Sequence, residues 1–369
     1  MFKSFAPAAF VVLALSSAAA GAPGDARYAR PGQLVSAGPS VRLNLYCLGE
    51  GAPAVVFDSG FEDWAPAWAV VQPRVAKWTR ACAYDRAGAG FSDPGPLPRT
   101  SVRIAGELRT ALRNAGIAGP YILVGHAFGA DNVRTFADLY MPDVAGLVLV
   151  EGDTVDLEPA DMQNDDHLGE IDYVRQLRAC RDAIAAGKPL PLLPAPPGQP
   201  HRTCAQQFFR GLPEAAWSAE LNAKLLQIAN TKLAMYDAYA SEMEQMAADE
   251  AFLKQHVRSF GDRPIRILST GNHGVGSLGR HRPTSLAHLR YEYEVTLAQS
   301  RLLSLSTNAK QIFATNSSEY ILFDEPDTVV NAIREVFNEA GRVTPSGGNG
   351  PAALPPAWPR PPATSGHGR

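Results

Sequence analysis

The sequence carries almost no charge imbalance: 34 Lys and Arg against 37 Asp and Glu leave a formal net charge of −3. A chain without a basic excess has no broad positive field with which to hold nucleic acid or an anionic membrane, so neither is expected as a partner. Beyond the first residues no apolar run is long enough to cross a bilayer. No segment repeats at a fixed period, and no Cys-x-x-Cys pair suggests zinc. The Asp and His residues of "DMQNDDHLGE" follow no standard ligand spacing, so neither a metal nor a cofactor is expected.

What is present is ample core material. In 369 residues, 46% are hydrophobic and 19% charged, enough for one large core or two smaller ones. The opening "MFKSFAPAAFVVLALSSAAAGAPG" sets Lys3 before an apolar run that ends in small residues, the layout of a cleaved secretory signal. Cleavage after Ala20 fits the Ala-x-Ala rule better than cleavage after Ala22, which Pro23 would follow directly. The mature chain is therefore expected to be secreted or periplasmic. In such a compartment its four cysteines should pair. Of three possible connectivities, Cys47 with Cys82 is favoured because both lie on neighbouring strand candidates, and Cys180 with Cys204 because they flank a Pro-rich loop.

Along the chain, "RLNLYCLG" alternates as a half-buried strand does, and "AVVFDSG" and "TRACAYDRAGAGFSD" are short apolar runs closed by turns. Ser101 to Ala115 carries Val102, Ile104, Ala105, Leu108, Ala111 and Leu112 at helical spacing, with Ser101 as candidate cap and Gly116 as stop. The strand "YILVG", the helix "ADNVRTFADLY" and the strand "AGLVLVEGD" follow. This alternation predicts an α/β fold with a mostly parallel sheet flanked by helices. The rhythm then breaks from Leu157 to Ser259, where helix-like sequence predicts a helical cap inserted after the sixth strand. It resumes with "IRILSTG", "RYEYEVTLAQSRLLSLS", "KQIFAT" and "DTVVNAIREVFNEAG". The expected organisation is a signal peptide over 1–20, a core over 21–156 and 260–343, a cap over 157–259 and a disordered Pro/Gly-rich tail over 344–369.

The segment "YILVGHAFGADNVRTFADLY" is a strand, a glycine-flanked turn and a helix, the context of a G-x-S-x-G nucleophile elbow. Gly125 and Gly129 suit a sharp turn whose helix approaches its strand closely. "FDSGFEDWAPAW", "YDRAGAGFSDPGP", "GLVLVEGD" and "SSEYILFDEPDTVVNAIREVF" follow in the order of an α/β-hydrolase. Over roughly Val41 to Val343 the chain resembles a secreted esterase of the α/β-hydrolase-fold superfamily.

The resemblance implies a hydrolase of carboxylic esters, or of amides or lactones, that works through an acyl-enzyme. It also implies which positions have changed. The elbow centre, Ser, Asp or Cys in the family, is Ala127, and the residue before "YILFDEP", His in the family, is Glu319. Alanine supplies no nucleophile and glutamate no imidazole. The acid that orients the histidine is expected at Glu151, at the end of the sixth strand, with Asp153 as second choice. The backbone amides of Phe61 and Phe128 are expected to form the oxyanion hole, which side-chain replacement leaves intact. If Glu151 and Glu319 occupy triad positions, two carboxylates should face each other and share a proton. Of the histidines, His126 is expected to point away from the catalytic face as packing or support, His273 to lie in the loop after the seventh strand, and His281 and His288 at the surface. Two readings stand: an esterase-lineage hydrolase disabled at Ala127 and Glu319, or a ligand-binding protein on the same fold. The ligand would be a small molecule, an apolar ester, and Phe208, Phe209, Trp217 and Met235 either line its pocket or form the core of the cap.

Overall fold

A computed structural model of the chain describes residues 25–152, 160–193, 201–208, 217–256, 259–270 and 286–340. The expected signal peptide and the Pro/Gly-rich tail lie outside the described residues, as do Asp153, Phe209, His273 and His281. The described chain forms an eight-stranded sheet: β1 (Gln33–Gly38), β2 (Val41–Leu48), β3 (Val55–Asp58), β4 (Ala81–Asp85), β5 (Tyr121–His126), β6 (Val144–Val150), β7 (Ile265–Ser269) and β8 (Ala309–Phe313). The spatial order is β1-β2-β4-β3-β5-β6-β7-β8. Strand β1, unremarked in the sequence, forms a hairpin with β2, and β2 runs antiparallel to β4. All pairings from β4 through β3 to β8 are parallel.

Every residue of β3, β4, β5 and β7 is buried, as expected for strands covered on both faces. Alternate side chains feed two cores. Val55, Phe57, Ile122, Val124, Val148 and Val150 face one, and Val56, Leu123, Leu147 and Leu149 face the other. The edge strand β8 keeps Lys310 exposed, a charge that discourages pairing with another chain.

Ten α-helices occur among the described residues, beginning with the single turn α1 (Gln72–Val75). Helix α2 (Ser101–Asn114) buries Ile104, Ala105, Leu108, Ala111 and Leu112 of the expected stripe and leaves Val102 half-buried. Its cap is Thr100, not Ser101: the Thr100 side chain accepts from the Arg103 amide. Ser101 is engaged elsewhere, since Asp249 Oδ2 accepts from both its amide (2.9 Å) and its hydroxyl (3.1 Å). Helix α3 (Phe128–Leu139) follows β5, and α4 (Ala160–Ala185), α5 (Cys204–Phe208), α6 (Ala219–Thr231) and α7 (Leu233–Gln255) lie between β6 and β7. Helices α8 (Leu286–Arg301), α9 (Ile321–Asp324) and α10 (Pro326–Ala340) flank β8.

Both disulfides join the expected partners. Cys47 and Cys82 stand directly opposite on β2 and β4, and Cys180 at the end of α4 is bonded to Cys204 at the start of α5. Trp217 and Met235 are buried within the packed core, so they do not line an open pocket. The side chain of Phe208 lies outside the described residues.

Helices α6 and α7 are anchored by polar groups. Lys232, at their junction, donates to the carbonyls of Ala89 (3.2 Å), Gly90 (2.7 Å) and Ser92 (2.6 Å). Ser241 Oγ accepts from the Arg99 amide at 2.9 Å. Burial pushes the Lys232 ammonium down to about 8, against the pull of Asp85 and Asp93. Replacing Lys232 by Met keeps the stem but leaves three carbonyls without their donor. The variant should lose roughly 2–4 kcal/mol of stability, read as a lower urea midpoint at unchanged slope.

Candidate active site

The site forms where the carboxyl ends of the central strands meet the loops that follow them. At the end of β5 the chain turns sharply: Ala127 sits at φ 46°, ψ −122°, and α3 begins at the next residue. The Ala127 amide donates to Val150 O at 3.0 Å, tying the turn to β6. A Cβ at Gly125 would stand 2.3 Å from Gly129 O, and one at Gly129 would stand 2.5 Å from Asp58 O. Both glycines are therefore required by close approach, the first of β5 to α3 and the second of α3 to the end of β3.

Backbone strain concentrates here. Among the described residues the non-glycine positions with positive φ are Glu62 (63°), Ala127 (46°) and Glu151 (46°). They lie in the loop after β3, at the end of β5 and at the end of β6, the three places that the sequence marked for oxyanion hole, nucleophile and acid. Strained backbone persists where the surroundings over-determine it, and such positions gather at functional sites.

The loop after β3 is held from below by Arg86. Its guanidinium is 2% exposed and donates to Asp58 Oδ1 (2.9 Å), Ser59 O (2.6 Å), Gly60 O (2.8 Å) and both carboxylate oxygens of Glu242 on α7. Burial lowers the Arg86 pKa, but Glu242 and Asp58 outweigh it and the net shift is upward, so the guanidinium stays charged. Asp58 also accepts from Tyr84 OH at 2.5 Å. Because the Gly60–Phe61 peptide is trans, its carbonyl and amide point in opposite directions. Arg86, by taking Gly60 O, turns the Phe61 amide away from itself. The Phe61 ring meets the Phe128 ring edge-on at 6.3 Å, and Phe128 opens α3, where the first amides have no carbonyl partner within the helix.

Glu151, Glu319 and His126 are placed as follows. Glu151 is buried, and its carboxylate accepts from the Thr270 amide and from Gln299 Nε2 (3.0 Å). Glu319 is exposed in the loop after β8. The Glu319 charge bears on Asp63, whose carboxyl it helps to raise. His126 is buried beneath the site rather than turned away from it. Its Nε2 lies 3.1 Å from Glu319 O and its ring 5.3 Å from that of Tyr320, so it supports the backbone at position 319. Burial lowers its pKa to about 4, which keeps the ring neutral.

Four residues of the site went unremarked in the sequence: Glu62, Asp63, Arg86 and Glu242. Glu62 Oε2 accepts from Tyr173 OH of α4 at 2.5 Å, and Glu62 O accepts from Tyr239 OH of α7 at 2.9 Å. Burial raises the Glu62 carboxyl well above the ordinary range. Asp63 is 7% exposed, and burial, opposed by Arg86 and reinforced by Glu319, lifts its pKa to about 7. Consecutive acids before an aromatic turn, "FEDWAPAW", were the available signal, since buried acids are rare unless paired or functional. Among the described residues no cluster of His, Cys, Asp or Glu could hold a metal ion.

Comparison with known proteins agrees with this architecture. A family model for the alpha/beta hydrolase fold matches residues 53–180. The uncharacterized protein YqjL of Bacillus subtilis is 26% identical over 293 residues, covering 78% of this chain and 85% of that one. A probable transporter of Hormonema carpetanum, efuK, is 33% identical over 105 residues, 27% of this chain and 15% of that protein. The chain thus spans about a sixth of the length of the first curated relatives it matches. A thermophilic esterase from Thermogutta terrifontis superposes with a TM-score of 0.55 at 16% identity, over 84% of this chain and 99% of that chain, a likeness of fold.

Two outcomes test the geometry. Ala127→Gly relieves the positive φ and should stabilise the protein by about 1 kcal/mol in urea unfolding, unlike most Ala to Gly changes. Raising the Asp63 carboxyl from 3.8 to about 7 means that the folded state holds a proton which the unfolded state has released. Stability from this group is complete below pH 4 and is lost as pH rises to 7. Asp63→Asn should remove that loss, so its stability relative to the parent should grow by roughly 2–4 kcal/mol across the window in melts at successive pH values.

Proposed function

We propose, from the premise that this chain belongs to the α/β-hydrolase superfamily, that it descends from carboxylic ester hydrolases and, with Ala127 and Glu319, holds a carbonyl ligand without cleaving it. The observation that carries this reading is the strained elbow, kept at φ 46° although its centre is a partly exposed alanine. In the parent chemistry the side chain at 127 attacks the ester carbonyl, the residue at 319 takes the nucleophile's proton and passes it to the leaving alkoxide, and Glu151 orients that residue. The Phe61 and Phe128 amides bind the oxyanion of the tetrahedral intermediate. As the chain stands, the amides and the acid remain, and the groups that make and break the acyl bond do not.

The ligand is a small apolar ester in this reading, enclosed by the helices between β6 and β7. Asp153 stands as the second choice for the acid. The N-terminal signal and the paired cysteines support an exported protein, secreted or periplasmic. A ligand-binding protein in its own right is favoured by one further feature. Arg86 and Glu242 clamp the loop that presents the Phe61 amide, and such a clamp serves a carbonyl ligand whether or not a bond is broken.

The deciding experiment compares p-nitrophenyl butyrate hydrolysis by the chain as written and by its Ala127→Ser, Glu319→His double variant at equal folded concentration. The expected result is a burst of product and covalent labelling at position 127 in the double variant only. Amides and binding alone still accelerate hydrolysis ~10³–10⁴-fold over water in disabled serine hydrolases, so a trace of turnover in the parent fits. A double variant that folds yet stays inert towards small esters removes the esterase lineage and leaves ligand binding.

A further inference from the structure

Helix α8 is turned inside out. Its inward face carries polar residues: Glu292 and Gln299 are buried, and Gln299 Nε2 donates to Glu151 Oε2 at 3.0 Å. Its outward face carries Leu286 (82% exposed), Leu289 (52%), Tyr293 (67%) and Leu297 (43%). At about 100° per residue these four lie within a sector about 80° wide, on the side of the helix away from Ala298 and Gln299. Leu303 is exposed in the short turn that follows the helix. Ser300 donates to Gln311 of β8 at 2.8 Å, which sets this face of the edge strand against α8. Phe313, two residues further along the same face, is also exposed.

Single exposed leucines are ordinary on a protein surface, but a continuous stripe of them is not. At usual side-chain areas these six residues expose roughly 600 Å² of apolar surface, as much as the largest patch on an ordinary monomer. Two such patches set face to face would bury about 1,200 Å², the area at which stable interfaces begin. The charges beside the stripe indicate the partner. Arg290 Nε donates to Glu294 Oε1 at 2.8 Å, and helical spacing puts both on one flank of the stripe. A two-fold axis perpendicular to the plane of two antiparallel helices keeps that flank on one side of the pair. With the axis level with position 292, midway between the two, Arg290 meets Glu294 of the partner subunit, and the reverse contact follows by symmetry. The middle of the apolar stripe, between Leu286 and Leu297, falls at the same level. The face is thus complementary in charge to its own inverse, and its area is sufficient for a second copy of this chain.

We propose that α8 is a dimerisation helix: two copies of this chain pack their α8 stripes antiparallel about a two-fold axis near position 292, with Leu303 and Phe313 at the margin of the contact. The leucines and Tyr293 supply the buried area. The two symmetry-related pairs of Arg290 with Glu294 sit at the rim and fix the direction of pairing. Tyr293 stands one residue from the level of the axis, so the two Tyr293 side chains meet at the centre. Pairing does not depend on which ligand the candidate site takes, but it bears on that site. Gln299, on the opposite face of the same helix, donates to Glu151, so a partner on the outer face steadies the helix that holds the strand-end carboxylate.

Sedimentation velocity of the full chain from ~1 to ~50 μM tests the pairing, and a shift from monomer to dimer across that range is expected. Tyr293→Glu sets two carboxylates beside the axis and should weaken the dimer at least ~10-fold at unchanged circular dichroism. Arg290→Glu and Glu294→Arg each leave one sign of charge on the flank, and each should weaken self-association ~5-fold. An equal mixture of these two variants should dimerise as strongly as the parent, because an acidic flank then meets a basic one. An effect confined to one helix cannot produce that rescue between chains. A parent that stays monomeric, a dimer indifferent to Tyr293→Glu, or a mixture no better paired than its components overturns the proposal. A chain that dimerises only after removal of residues 341–369 assigns the stripe to its own tail. A monomer that co-sediments with phosphatidylcholine vesicles assigns it to a lipid surface. Either result overturns the second copy as partner. If Tyr293→Glu does not fold, the mixture of charge variants decides.

Discussion

The buried Arg86 guanidinium is the interaction on which the candidate site depends. It joins Asp58 at the end of β3, two carbonyls of the following loop and Glu242 on α7. Each of these groups alone would be costly to bury. Together they satisfy one another, and removal of any member strands a charge. The arrangement specifies geometry more than it adds stability. It sets the direction of the Gly60–Phe61 peptide and fixes the inserted helices to the core at the loop that faces the elbow. The same cation holds Asp63 partly in check, so a single residue governs both a backbone donor and the acidity of a carboxyl three residues beyond Gly60.

The fold was legible because its determinants are local and repeated. Fully apolar strand segments, the helical stripe of α2 and the helix-rich interval after β6 follow from periodicity, and the glycines of the elbow follow from close approach. Strand β1 escaped notice because an edge hairpin strand alternates weakly, and "QLVSAG" has a single large buried residue, Val35. The cap of α2 was displaced by one residue because Asp249, 148 positions away, claims Ser101, a competition that no local pattern reveals.

The candidate site was legible only in its backbone turns. Gly125, Gly129 and Ala127 were marked by turn chemistry, and the Phe61 and Phe128 positions by the family resemblance. The charged cluster was not, because its members come from β3 and the loop after it, the turn after β4, α7 and the loop after β8, and their meaning lies in mutual distance. His126 shows the same limit. The two-residue alternation of β5 turns its side chain from that of its neighbour, but the curl of the loops after β3 and β8 brings Gly60 and Glu319 round to it.

A physical asymmetry ties these observations together. Loss of a nucleophile removes one side chain, whereas the strained φ at Ala127 and Glu151 and the desolvated carboxyls at Glu62 and Asp63 continue to cost stability in every folded molecule. A structure that had merely lost its chemistry could relax each of these, Ala127 by changing to glycine and Asp63 by changing to asparagine. Their joint persistence in the loops that follow β3, β5 and β6 keeps the strain together at the carboxyl ends of three adjacent strands. Carbonyl binding, as proposed above, uses the groups that remain.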